Sequence, residues 1–448
     1  MKKIITIFTF LISVSLIAGP KADLEKASKL ISENKEKEAI SLLEKTKPVK
    51  GEENEYEQIN YALAANYISK NDEDNAKKYF QKISDNKNSK SDIAKGADQY
   101  LMALASDDSG KILYLERLSE RFDNKNYEIL SELNAYYVLN KLDEKASSLN
   151  KVIKEQGENF EDIVSLFTGE VLVPQDFDLA NTYIKKALKS KNPKIQIEAH
   201  ILLASYYLAK KDYKKVEEEV NLAEKINPSD AMLLARIGDI YKSMGNENKN
   251  YEYLKKAYKL DSKQLSIVIA LIESSYDRND KKDQNVWSGV ARNLNKDVND
   301  LELAKLFMQK EKIELAKEFA IKASKENNEA NYLLFVIYIN EYNKEEMLKY
   351  ADKILKTGTD EEKLAVTVVK NNPELALSEI AYSNGNLNKS LEFAKKAAKK
   401  NHEADLMLAQ IYIKLGDINE AKKYLESSVK NKVNVKEAKS ILDKLNER

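Results

Sequence analysis

The sequence predicts an all-α protein built as a long array of antiparallel helix pairs, and three observations carry that reading. Apolar residues recur with the 3.6-residue spacing of an amphipathic helix, not with the alternation of a strand. Helix breakers are scarce, with 12 glycines and 6 prolines among 448 residues. A pattern of large, small and aromatic residues also returns along the chain, with Tyr207 and Tyr241 34 residues apart. Such a period marks stacked supersecondary units, none of which buries its apolar face alone.

The first element is the amino terminus. Met1-Lys2-Lys3 is basic and Ile4 to Ala18 is almost wholly apolar, which are the two leading parts of a secretory signal. Residues 1–19 are therefore expected to be a Sec-type signal peptide. The mature chain would start at Gly19 or Pro20 and lie in the periplasm or outside the cell. The apolar run is short for a membrane span. Leu16 is large for the position two residues before the expected cut at Ala18, so retention as an inner-membrane anchor is the alternative. Leu16-Ile17-Ala18-Gly19 has the outline of a lipidation box, but Pro20 stands where the cysteine would be. The chain has no cysteine at all, which removes disulfides and thiolate metal sites.

Composition then narrows the partners. Charged residues make up 33% and hydrophobic residues 43%, as suits helices with one apolar stripe and one solvated face. Lys+Arg and Asp+Glu balance at 73 each, so no overall positive field favours nucleic acid. Pro48, Pro174, Pro193, Pro228 and Pro373 fall between the apolar segments, where a missing N–H does least harm.

The repeats follow in order. An early copy reads Leu63-Ala64, Tyr67, Ala76, Phe80 and Ile83. Others read Leu203-Ala204, Tyr207, Val216, Val220 and Ala223, then Ile237-Gly238, Tyr241, Asn250, Leu254 and Ala257. Later copies are Leu303-Ala304 with Phe307, Ala316 and Ala320, and Leu408-Ala409 with Tyr412, Ala421 and Leu425. Weaker ones centre on Leu133 with Tyr137, on Ala180 with Ile184, and on Leu334-Phe335 with Tyr338. This pattern resembles the tetratricopeptide signature. The resemblance covers nearly the whole mature chain and implies a right-handed α-solenoid of antiparallel helix pairs. It lacks the tryptophan that often opens a unit, and the single Trp287 falls where a second helix is expected.

The array divides into repeats over 20–356, an irregular helical segment over 357–372 with a kink or boundary near Gly358, and further repeats over 373–433. Residues 434–448 form a C-terminal cap helix whose one-sided stripe of Val435, Ala438, Ile441, Leu442 and Leu445 would close the core.

Chemistry is sparse. His200 and His402 have no second histidine at ligand spacing, and no phosphate-cradling loop, dinucleotide fingerprint or metalloprotease helix occurs. Asp72-Glu73-Asp74 and the stretch from Asp277 to Asp283 lack the glycine turn and terminal Glu of a calcium loop, and read as solvated turns. No catalytic, cofactor-binding or metal residue is assigned, no cofactor is expected, and an enzyme is disfavoured.

The resemblance implies a scaffold that holds a protein or peptide on the concave face lined by the first helix of each unit. The residues expected to project there are Tyr61, Ile68, Val138, Leu208, Tyr332 and Ile339. The alternative is a structural or assembly component of the cell envelope. Membrane contact is expected only through a retained amino-terminal segment.

Overall fold

A computed structural model describes residues 19–400 and 402–446. Apart from Gly19, the expected signal segment lies outside the described residues. Among them are 26 α-helices and the 3-10 turn His402–Ala404, and no strand. The chain divides into two compact units, Met1–Met244 and Gly245–Arg448.

The first unit runs through six helix pairs: Pro20–Ser32 with Glu36–Lys45, Glu53–Ser69 with Glu73–Ser84, Asp92–Leu104 with Asp108–Arg121, Tyr127–Leu139 with Asp143–Glu155, Glu158–Leu172 with Phe177–Ala187, and Pro193–Ala209 with Tyr213–Ile226. Helix Ala231–Ser243 ends it. The second unit opens with Glu247–Leu260. It continues with Leu265–Asp277 and Lys281–Leu294, Asp300–Gln309 and Ile313–Ala323, and Asn328–Asn340 and Lys344–Thr357. After the single helix Asp360–Asn371 come Pro373–Ser383 with Leu387–Ala398 and Asp405–Leu415 with Ile418–Lys430. Helix Val435–Asn446 closes the chain, burying Ala438 with Ile441, Leu442 and Leu445 against Leu425 and Ala409.

Turn chemistry makes the pairs. In several pairs the first helix ends on a left-handed residue, and the next residue caps the second helix with a side-chain oxygen. Asn71 (φ 57°), Lys211 (φ 59°), Asn279 (φ 55°) and Tyr342 (φ 59°) hold the left-handed position. Asp72, Asp212, Asp280 and Asn343 follow, each accepting from a backbone N–H three residues on. Gly385 and Gly416 occupy the same position before the caps Asn386 and Asp417, where a positive φ costs glycine nothing. Proline opens helices as well as separating them. Pro20, Pro193 and Pro373 each stand in a first turn, where no intrahelical N–H bond is lost.

Inside each pair, positions 12 residues apart face each other. Ala64 and Ala76, Ala204 and Val216, Ala304 and Ala316, and Ala409 and Ala421 are all fully buried, which lets the two backbones approach. Ser378 and Ser390 take the same places and exchange hydrogen bonds. Each hydroxyl donates to the other residue's carbonyl at 2.9 Å. Gly169 meets the same demand, since a Cβ there would lie 2.7 Å from Ile184 Cγ1 on the facing helix.

Aromatic residues keep the same 12-residue spacing. Aromatic rings stack between the helices of a pair: Tyr67 on Tyr79 (5.7 Å, 9°), Phe307 on Phe319 (5.7 Å, 16°), Tyr338 on Tyr350 (5.6 Å, 18°) and Tyr412 on Tyr424 (5.7 Å, 9°). Three residues beyond the second ring a lysine lies over it in three of these pairs. Lys82 is 4.5 Å from Tyr79, Lys322 5.0 Å from Phe319 and Lys353 4.4 Å from Tyr350.

Candidate protein-interaction surface

Second helices pack against the first helices that follow them, as Glu73–Ser84 does against Asp92–Leu104 and Ile313–Ala323 against Asn328–Asn340. First helices also touch one another directly. In the first unit Pro20–Ser32 meets Glu53–Ser69, which meets Asp92–Leu104, and Tyr127–Leu139 packs closely on Glu158–Leu172. In the second, Asn328–Asn340 meets Pro373–Ser383, which meets Asp405–Leu415. Buried polar groups weld one of these contacts. Ser131 Oγ donates to the Val164 carbonyl at 3.2 Å and Thr168 Oγ1 to the Ser131 carbonyl at 3.3 Å. The first helices thus build a layer whose outer side is the candidate surface.

The six expected surface residues divide between the two units. Tyr61 (40% exposed) and Ile68 (43% exposed) stand seven residues apart on helix Glu53–Ser69. The Tyr61 ring leans edge-on against Phe80 at 6.2 Å, leaving its outer side free. Val138 and Leu208 are half-buried, with Val138 packed against the core around Leu133 and Tyr137. In the second unit Tyr332 is half-buried, 6.1 Å from Phe335. Ile339 is corrected: it is only 7% exposed and belongs to the core. Its helix contacts Ile313–Ala323, Lys344–Thr357 and Pro373–Ser383, and it buries Leu334, Phe335, Ile337 and Tyr338 besides Ile339.

The charge of the layer is uneven. Over the four first helices from Glu53 to Leu172 there are eleven Asp and Glu residues and one basic residue, Lys95. Lys95 itself lies 4.6 Å over the Phe122 ring and 3.2 Å from Asp92. Burial raises the Glu132 carboxyl on this layer, and Lys111 opposes that rise.

Charged groups elsewhere serve the fold. Asp98 and Arg121 form a buried ion pair at 2.6 Å. Arg121 also donates to the carbonyls of Ser84 (2.9 Å), Asn86 (3.0 Å) and Ser89, which fixes the connection between two pairs. Glu374 Oε1 accepts from Lys344 at 2.6 Å and Lys400 at 2.7 Å. Burial works to raise that carboxyl, but the two ammonium groups outweigh it and hold it at about 2. Hydrogen bonding to Glu44 at 2.5 Å, with burial, pushes the Tyr67 hydroxyl up to about 12. Trp287 occupies the ring position of its second helix, where Nε1 donates to Tyr251 Oη at 3.3 Å. The Arg278 guanidinium lies 3.6 Å over the Tyr251 ring and 3.1 Å from Asp283.

The residues weighed for chemistry have structural partners. His200 lies within helix Pro193–Ala209 with Nδ1 2.7 Å from Glu219, and His402 Nδ1 is 2.9 Å from Asp405. Asp72 and Asp280 are helix caps. Among the described residues no group of three or more His, Asp or Glu could hold a metal ion, and no helix is long and apolar enough to cross a membrane.

Family comparison agrees with this geometry. Tetratricopeptide-repeat models match residues 57–88, 233–264 and 381–447; the first two each span two successive helices, and the last runs from the end of Pro373–Ser383 through Val435–Asn446. The chain contains tetratricopeptide repeats over these residues. Among solved structures, yeast Tom70 is similar at 17% identity over 96% of this chain and 95% of its own, with a TM-score of 0.31. PilF of Pseudomonas aeruginosa is similar at 16% identity over 47% of this chain and 99% of its own, with a TM-score of 0.30. A tetratricopeptide repeat protein from Parabacteroides merdae shows 15% identity over 58% of this chain and 98% of its own, at a TM-score of 0.29. No curated protein matches the chain. Tetratricopeptide repeats as a class mediate protein interaction, and the repeat architecture here is that of a protein-interaction scaffold.

Proposed function

We propose that the chain is an exported scaffold that holds an extended protein or peptide segment on the first-helix layer of its first unit. The observation that carries this reading is the uncovered pair Tyr61 and Ile68, two turns apart on one face of helix Glu53–Ser69, beside a layer rich in carboxylates. An aromatic and an aliphatic anchor of this kind suit the apolar side chains of a bound segment. The carboxylates select against an acidic one. Export is supported by the basic start and apolar run of residues 1–18, and it places the partner in the cell envelope or outside the cell.

The test has two arms. The mature chain and its Tyr61→Asp, Ile68→Asp variant are immobilised and exposed to an envelope extract, and retained proteins are identified by mass spectrometry. The reading expects a discrete retained protein that the variant loses while its helical signal and melting temperature stay unchanged. Equal retention by both forms would move the binding surface elsewhere. A full-length protein that remains in the cytoplasm would sink the export reading.

A further inference from the structure

Glu52 stands against the first residue of the expected mature chain. It precedes helix Glu53–Ser69, is half-buried, and accepts at Oε2 from the Lys21 backbone N–H at 3.0 Å, in the first turn of helix Pro20–Ser32. The carboxylate is pressed on Gly19. A Cβ there would lie 2.6 Å from Glu52 Oε2 and 2.9 Å from Oε1. The Gly19 nitrogen is therefore within about 5 Å of Oε2. Oε1 accepts no hydrogen bond from the described residues, and no lysine or arginine among them forms an ion pair with Glu52. Asp98 and Glu374, the carboxylates that clip other helices together, each have a cation. Glu52 has the place of such a clip and no positive group to complete it.

We propose that the missing cation is the α-ammonium of Gly19, made when the signal is removed, so that proteolytic processing completes the clip. The inference rests on the export reading and adds to it the position of the cut and the receptor of the new terminus. A signal peptidase hydrolyses the Ala18–Gly19 bond. Water gives its hydroxyl to the Ala18 carbonyl carbon and a proton to the Gly19 nitrogen; the new acid then releases a proton and the new amine binds one. Three features choose Gly19 over Pro20 as the first residue. Ala18 is the small residue that a cut after it requires. A cut after Gly19 must open the crowded bond before proline, and it leaves the charge on Pro20, which is buried. Finally, an ammonium one residue before a helix meets the positive end of the helix dipole, and Glu52 supplies the opposite charge at that point. The pair ties helix Pro20–Ser32 to helix Glu53–Ser69, on which it already packs and which carries Tyr61 and Ile68. It exists only in the cleaved chain, so removal of the signal tightens this end of the array.

The test crosses the terminus with its receptor. Chains beginning at Gly19 are released from a cleavable fusion with a free amine or are acetylated there, each with Glu52 and with Glu52→Gln. Amide hydrogen exchange over residues 20–32 is followed by mass spectrometry. Acetylation should speed that exchange about fivefold when Glu52 is present and should not speed it in the Glu52→Gln chain. A carbodiimide provides a second measurement, because it condenses an amine with a touching carboxylate with loss of one water. It should give a peptide joining Gly19 to Glu52, absent from the acetylated chain and from Glu52→Gln. Sequencing of the protein recovered from the envelope fraction should begin Gly19-Pro20-Lys21. Exchange that ignores acetylation, or that responds to it equally in both backgrounds, overturns the pairing and leaves export untouched. An exported chain that begins at another residue overturns the cut position. A full-length chain retained in the cytoplasm sinks the export reading and the processing step with it.

Discussion

Asp98 shows why one repeat is hidden at the level of residues. It stands 34 residues after Ala64, where the pattern asks for a small side chain, and no signature is legible there. The structure resolves the conflict by burying the carboxylate on Arg121, at the end of the following helix. Removing one partner leaves an unpaired buried charge, so Arg121→Met should destabilise the first unit by about 3 to 5 kcal/mol. Chemical denaturation with circular dichroism measures this, and a loss within error of zero would refute the role of the pair. Glu374 makes the corresponding clip in the second unit. Its carboxyl is held at about 2, below the ordinary 4.5, so the folded state binds its proton less readily than the unfolded chain. The stability it contributes is therefore fully present above about pH 5 and is lost as the pH falls towards 2. Glu374→Gln should cost about 1 to 3 kcal/mol near neutrality, and the gap between variant and wild type should close in acid. A gap that persists at low pH would mean that the carboxylate charge is not what holds the two lysines.

At the level of elements the helix pairs were legible because their turns and their small residues obey local rules. The large-small-aromatic pattern of the first helix and the small position of the second are written in the sequence wherever the unit is strong. The stacked rings were missed for a different reason. The second aromatic of each stack lies on the second helix, one residue before a position that the signature names, and only the fold turns it towards its partner. Its signal is an aromatic 12 residues after the first-helix aromatic, often with a lysine three further on, as in Tyr338, Tyr350 and Lys353. The turns also contain a removable strain. Lys211 holds φ at 59° with its side chain exposed, so Lys211→Gly should stabilise the first unit by about 1 kcal/mol. The opposite holds at Gly169. Gly169→Leu forces a side chain into Ile184 and should cost about 1 to 3 kcal/mol or more. Melting temperatures that move in opposite directions in the two variants would establish both readings, and a shared direction would contradict one of them.

On the scale of the whole molecule, repeat position alone proved too coarse to locate a surface. Tyr61 with Ile68 and Tyr332 with Ile339 occupy the same two places in their repeats, seven residues apart on a first helix, and the sequence treats them alike. Their surroundings differ. Glu53–Ser69 leaves both of its residues about two-fifths exposed, whereas Asn328–Asn340 leaves Tyr332 half-buried and buries Ile339. Neighbour packing is a property of the assembled unit, so no reading of one helix could separate the pairs. The difference is open to measurement through aspartates placed at both sites. Tyr61→Asp with Ile68→Asp should keep a near-native helical signal, because each charge reaches water. Tyr332→Asp with Ile339→Asp should unfold the second unit, since an unpaired carboxylate at Ile339 loses its hydration and gains no partner. If the first variant stays folded and loses its envelope partner while the second melts, the candidate surface belongs to the first unit. If the Ile339 variant folds as well as wild type, its helix is less enclosed than the packing shows, and the second unit regains its claim to a binding face.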